Sequence, residues 1–328
     1  MCPSRQAGAI RLGAHRPLPR TGPMSGPPGS LAWRGRDRRR RAGRRARGLG
    51  SRVMLRLDQD SVVAALAEEW KVIGELCAGL DEADWAAPTD CPRWSVQDNL
   101  SHIIGTERML LGEPAPATAV GEAPHVRNEI GRINEMWVAE RRRRAPAAVL
   151  EEFRQVTAAR LTALTAMTGA DFDAESWTPA GTDSYGRFMR IRVLDCWMHE
   201  QDIRGAVGLP GHTGGSVVET VLDEFTCAVG FAVAKLGQPP EGARVLISLT
   251  GPAARDWHVQ VRAGRGGLVA GFDGGEQPTI TIRTDAHTYT RLAGGRIAGD
   301  AALRASLVRL EGDVEAAERI LAGLGYMP

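Results

Sequence analysis

The chain has no uninterrupted apolar run of 18 or more residues, so a membrane-spanning helix and a membrane partner are not expected. It has no CxxC pair either. Its five cysteines, Cys2, Cys77, Cys91, Cys196 and Cys227, form no even framework, which points to a reduced, cytoplasmic setting. The first 53 residues hold no apolar stretch long enough for a signal peptide, no lysine and a single acid, Asp37, against 14 arginines. With Pro17, Pro19, Pro23, Pro27 and Pro28 and no apolar periodicity, residues 1–53 are expected to be a disordered Arg-rich extension. Helical patterning begins just after Met54, which makes that methionine the expected biological start. The remainder holds 27 basic and 38 acidic residues, a net charge of about −11, so the formal +2 of the whole chain misleads. Nucleic acid is therefore not the expected partner of the globular part.

What is present is a helical first half. At 328 residues and 43% apolar, the chain has room for two domains. Val63, Leu66, Trp70, Ile73, Leu76 and Leu80 recur at helical spacing, and Asp60 or Ser61 can cap that helix. Ser95 and Asp98 then make a capping-box pattern with Trp94 as its staple residue, and Val96, Leu100, Ile103, Glu107, Leu110 and Leu111 mark the inward face of a second helix. His102 falls off that stripe, leaving a solvated histidine or a ligand in a groove shared with another helix. A third helical region, residues 126–144, ends on four consecutive arginines, read as a solvated helix end suited to the dipole. Pro146 opens a further helix to about residue 167. Residues 54–208 are expected to form a bundle of four or five helices.

The stretch the bundle is organised around, residues 190–204, contains neither Gly nor Pro and is followed by Gly205 and Gly208. At about 100° per residue, Asp195, His199 and Asp202 share an arc of roughly 60°, with Val193 and Trp197 pointing the other way. An Asp and a His four residues apart can aim an oxygen and a nitrogen at one point beside the helix, as a divalent cation needs from its first two protein ligands. The same spacing also describes a surface polar pair worth a few tenths of a kcal/mol.

Two segments decide between these readings. Asp84 and Trp85 with Pro88, Thr89, Cys91, Trp94, Ser95, Asp98 and His102, and Asp195, Trp197, His199, Glu200, Asp202 and Arg204, resemble the mycothiol-dependent maleylpyruvate isomerase family, within the DinB-like superfamily of metal-binding four-helix bundles. The resemblance runs from about residue 55 to the C-terminus. It implies a divalent metal, zinc, held by a His on the second helix and by a Glu and a His four apart on a later one. Carried over by motif, these ligands are His102, Asp195 and His199. Asp195 stands where the family usually has Glu. Being one methylene shorter, it brings the helix closer to the metal, weakens the site or calls on Asp202. Three protein ligands leave tetrahedral zinc an open position, where a low-molecular-weight thiol, mycothiol in the family, loses its proton and becomes a nucleophile. Addition to an activated double bond followed by departure would isomerise a cis alkene, and a thiol that stays attached would make the enzyme an S-transferase. Cys196, about 60° from His199 on the same helix, is read as a core thiol.

Residues 209–240 read as a linker and a connecting helix, 217–236, after which the apolar period becomes two. Residues 245–250, 257–262 and 279–283 read as strands, with a weaker one near 268–272 and a short one at 307–311. Helix returns after Asp285, and a last helix, 313–324, is capped by Asp313. Residues 241–328 thus form a small α+β domain, and the fold class is α+β. This half resembles the sterol-carrier-protein-like domain that accompanies the bundle in the family. Its expected role is to close one wall of the metal cleft rather than to bind lipid. Arg283, Arg296 and Arg309 are candidates for holding a carboxylate substrate, and His258 and His287 are read as structural. The function expected is that of a metal- and mycothiol-dependent isomerase or S-transferase acting on a small electrophile. The alternative is a non-catalytic metal- or ligand-binding module that senses a ligand or partner. Imidazoles of His102 and His199 more than about 8 Å apart would rule out a single ion joining them.

Overall fold

The computed structural model describes residues 56–326 except 122, so the Arg-rich extension and the start expected at Met54 lie outside the described residues. Helix α1 (Gln59–Ala78) begins where Asp58 accepts the Ser61 N–H at 2.9 Å, just before the two caps the sequence offered. After the single turn α2 (Glu82–Ala86), Ser95 and Asp98 close both arms of the expected capping box, at 3.3 and 3.1 Å, and start α3 (Val96–Leu110). Such a cap contributes about 1 kcal/mol and fixes where the helix begins. Then follow α4 (Glu129–Ala139), shorter than its pattern, α5 (Pro146–Thr165) and the single turn α6 (Gly169–Phe172). A hairpin of β1 (Glu175–Thr178) and β2 (Gly181–Ser184) leads into α7 (Tyr185–Val207), which ends at Gly208 in the left-handed conformation, φ 66°. Among the described residues no helix is long and apolar enough to cross a membrane.

The bundle proper is α1, α3, α5 and α7, with α1 and α3 each packed against both α5 and α7. Helix α4 lies outside it against α3, where Gly105 permits a close approach: a Cβ there would come within 2.4 Å of Trp137. Gly105→Ala should therefore force Trp137 aside and destabilise the fold by about 1–3 kcal/mol. A urea midpoint that did not move would show that α4 is free to shift.

Both faces of α7 are buried. Val193 and Trp197 enter the core with Leu66, Ile73, Leu100 and Phe153, while Arg190, Arg192, His199, Glu200 and Asp202 on its other faces are shielded from solvent as well. In the arginine run before α5, Arg142, Arg143 and Arg144 are exposed as a solvated end would be, but Arg141 is not. Arg141 is 3% exposed and donates to Glu152 at 2.6 and 3.1 Å, Arg142 reaches Asp98 and Glu135, and Arg144 joins Glu152. A buried carboxylate such as Glu152 is strongly destabilising without a cation, and the run supplies it.

Helix α8 (Ser216–Phe231) continues through a π turn, Ala232–Leu236, into the second half. Strands β3 (Arg244–Thr250), β4 (Arg255–Arg262), β5 (Arg265–Val269) and β6 (Ile280–Asp285) are followed by α9 (Ala286–Ala293), α10 (Gly299–Arg304), β7 (Arg309–Gly312) and α11 (Val314–Ala322). The sheet order is β5-β4-β3-β6-β7, with β3 and β6 parallel and the other neighbours antiparallel. Strand β5 starts ahead of the apolar 268–272 segment because Gly266 meets α8 backbone to backbone. A Cβ there would lie 2.3 Å from the Gly230 carbonyl oxygen, so the closest approach falls on a residue with no side chain.

Candidate metal centre

Helices α3 and α7 bring three donors together. His102 Nε2 lies 3.2 Å from Asp195 Oδ2, and His199 Nε2, one turn along α7, lies 3.7 Å from Asp195 Oδ1. The two imidazole centroids are 4.7 Å apart, well inside the limit set above, and the three donor atoms lie within 4.8 Å of one another. A tetrahedral ion with bonds near 2.0–2.1 Å places its donors about 3.3 Å apart, so the triangle fits such an ion without moving a helix. The side chains of His102 and His199 are 6% and 8% exposed and that of Asp195 is 30% exposed, so the triangle opens on the Asp195 side.

Asn99 sets the orientation of His199. Its Nδ2 donates to Thr89 Oγ1 and to the Ser95 carbonyl, both at 2.9 Å, which turns Oδ1 toward His199 Nδ1 at 2.7 Å. Asp202 Oδ2 is 3.3 Å from the same nitrogen. Two acceptors hold the proton on Nδ1 and leave the Nε2 lone pair facing Asp195. His102 Nδ1, by contrast, is buried without a hydrogen-bond partner. Asn99→Ala should weaken metal affinity about 10–100-fold, read by competition with a chromogenic chelator. An unchanged affinity would remove Asn99 from the site.

The charges suit cation binding. Burial pushes the Asp195 carboxyl up, but Arg192, which donates to Oδ2 through Nη1, and the two histidines outweigh it and hold it well below the usual carboxylate range. Arg192 is in turn set by Glu107, which accepts from Arg192 Nε at 3.0 Å and from Arg160 Nε at 2.9 Å. Burial lowers the pKa of His102, with Asp195 opposing, so its ring is neutral at pH 7 and free to ligate.

Residues 66–204 match the mycothiol maleylpyruvate isomerase N-terminal domain, and residues 234–322 match the SCP-2 sterol transfer family. The chain thus carries an isomerase-type N-terminal domain followed by an SCP-2-type domain, in the order the sequence resemblance implied. A crystal structure of the mycothiol-dependent maleylpyruvate isomerase is similar over 78% of this chain and 93% of its own, with a TM-score of 0.50 and 16% identity. A mutant of that isomerase covers the same shares at a TM-score of 0.47 and 16% identity. Sterol Carrier Protein 2 Like 2 from Aedes aegypti covers 32% of this chain and 93% of its own at 17% identity and a TM-score of 0.24. No curated protein matches the chain. At 16% identity the isomerase structure speaks to the fold, α+β with the bundle first.

Around the family motif stand residues that its spacing did not reveal. Trp94 does not act simply as a staple: its ring lies 5.3 Å from that of His102 and 5.8 Å from that of His199, and its Nε1 donates to Glu135 at 3.0 Å. Asp202 lies on the Nδ1 side of His199, away from Asp195, and accepts from Arg296 at 3.1 and 2.9 Å and from the Cys91 thiol at 3.1 Å. Burial raises the Asp202 carboxyl, but His199 and Arg296 prevail and hold it far below the usual range. Arg296, in the loop after α9, is thus the one of the three candidate arginines that comes to the centre, and it arrives already paired. Arg283 and Arg309 lie on the sheet beside Glu311, at 3.5 and 3.3 Å.

Burial and Asp202 push the Cys91 thiol up, and burial does the same to Cys196, which is fully enclosed as a core thiol should be. His258 packs on Phe272 at 5.1 Å, whereas His287, read as structural, lines a cavity of about 450 Å³ with Thr89, Gln201, Asp202 and Arg291. That cavity adjoins the triangle through Asp202 rather than containing it.

Proposed function

We propose that the chain is a divalent-metal- and mycothiol-dependent isomerase or S-transferase acting on a small electrophile, with His102, Asp195 and His199 as the metal ligands and the cytoplasm as its setting. The observation that carries this reading is the convergence of two imidazole nitrogens and one carboxylate from α3 and α7, open on one side. Zinc suits that donor set, and iron, nickel and manganese share it. When bound, the cation supplies the positive charge that lets a thiol be held as thiolate at neutral pH.

The protein's own residues prepare the place. Asn99 and Asp202 keep the His199 proton on Nδ1, Arg192 keeps Asp195 ionised, and the Trp94 ring shields both histidines. Burial favours the protonated thiols of Cys91 and Cys196, the two cysteines nearest the triangle, which supports an incoming thiol as the nucleophile. The full chain loaded with zinc and given mycothiol and maleylpyruvate should convert the cis alkene only when thiol and metal are both present, or consume thiol with a different electrophile. A zinc-loaded protein inert across a broad electrophile panel would turn the reading to a non-catalytic binding module.

A further inference from the structure

A second cluster lies on another face of α7. Glu69 of α1 and Glu200 of α7 are both 0% exposed, and His212, from the loop between α7 and α8, reaches them with Nδ1 2.7 Å from Glu200 Oε2 and 3.6 Å from Glu69 Oε2. The donor atoms of the three lie within 4.8 Å of one another. Arg204 Nε takes the other Glu200 oxygen at 2.6 Å, which leaves Oε2 facing inward. No donor reaches either Glu69 oxygen within hydrogen-bond distance, and His212 Nε2 has no partner. Two buried carboxylates therefore face one guanidinium and one imidazole, an arrangement that cores avoid unless a cation or a proton relieves it.

The loop is held so that the ring stays in place. Trp197 Nε1 donates to the His212 carbonyl at 2.9 Å, Gln201 Nε2 to that of Gly211 at 3.3 Å and Arg204 Nη1 to that of Leu209 at 3.1 Å. We propose that Glu69, Glu200 and His212 form a second divalent-cation site, taking an ion of the zinc or manganese type and tying α1, α7 and the following loop together. Two carboxylates and one imidazole are a donor set for such ions. Without the ion, burial and the Glu200 charge raise the Glu69 carboxyl well above its usual range, so that it holds a proton. Binding displaces that proton into solvent, and His212 offers the ion its Nδ1. No residue is shared with the His102, Asp195 and His199 triangle.

Equilibrium dialysis of the full chain against Zn2+, followed by elemental analysis, separates the two sites. His102→Ala should keep one ion per chain, and adding Glu69→Gln to it should leave none. A His102→Ala chain that retains no zinc, or one whose remaining ion survives Glu69→Gln, overturns the proposal. If the double variant does not fold, EDTA treatment of His102→Ala decides: Tm must fall, and an unchanged Tm counts against the site. The retained ion is read without any enzymatic assay, so failure of the catalytic reading leaves this test standing.

Discussion

Exchanging His199 for alanine is expected to cost the protein one metal ion per chain and to lower thiol-dependent turnover by at least about 1,000-fold. The imidazole is one of three donors in the triangle, and its loss leaves a carboxylate and one histidine, too few to retain a catalytic ion. A bound cation contributes several kcal/mol of charge stabilisation, and each 1.36 kcal/mol is tenfold in rate, which gives a loss of about three decades. The fold should survive because no buried charge is stranded: Asp195 keeps Arg192 and Asp202 keeps Arg296. Metal content and initial rates, measured on the same preparation, check this. Full metal occupancy with a rate within tenfold of the parent would remove His199 from the centre.

The largest effect on stability is expected at Glu107. Its side chain is 1% exposed, and it accepts from Arg160 and Arg192, themselves 3% and 4% exposed. In Glu107→Ala the two guanidiniums remain buried without their carboxylate, a situation that destabilises by about 3–5 kcal/mol. Arg160 retains Tyr185 Oη at 3.1 Å and Arg192 retains Asp195, so partial compensation places the loss toward the lower end. Urea unfolding of metal-free protein isolates this effect from the metal site. A loss below about 1 kcal/mol would mean that the arginines escape to solvent instead of staying in the bundle. Arg192 also orders Asp195, so the same variant should bind metal more weakly.

These two positions show what could and could not be read along the chain. His102 stood out because it left the apolar stripe of its helix, and Asp195 and His199 because four residues bring side chains to one face. Both signals are local and periodic. Asn99 acts on a histidine 100 positions away, and Arg296 pairs with an aspartate 94 positions earlier, relations that leave no period to detect. Arg141 resembled part of a solvated helix end because Glu152, the charge that draws it inward, belongs to the next helix. Elements defined by backbone proximity were also hidden. Helix α7 begins before residue 190 because Gly186 marks a close approach rather than a break: a Cβ there would lie 2.6 Å from the Phe172 ring. Strand β5 likewise rests on glycines that carry no hydropathy.

The pairing of Arg296 with Asp202 makes the two halves of the chain hard to trade independently. A bundle taken alone would keep the aspartate beside His199 while losing the guanidinium that balances its charge and fixes both of its oxygens. Grafting this bundle onto a sheet domain from another relative should therefore succeed only when the donor brings an equivalent cation to that loop.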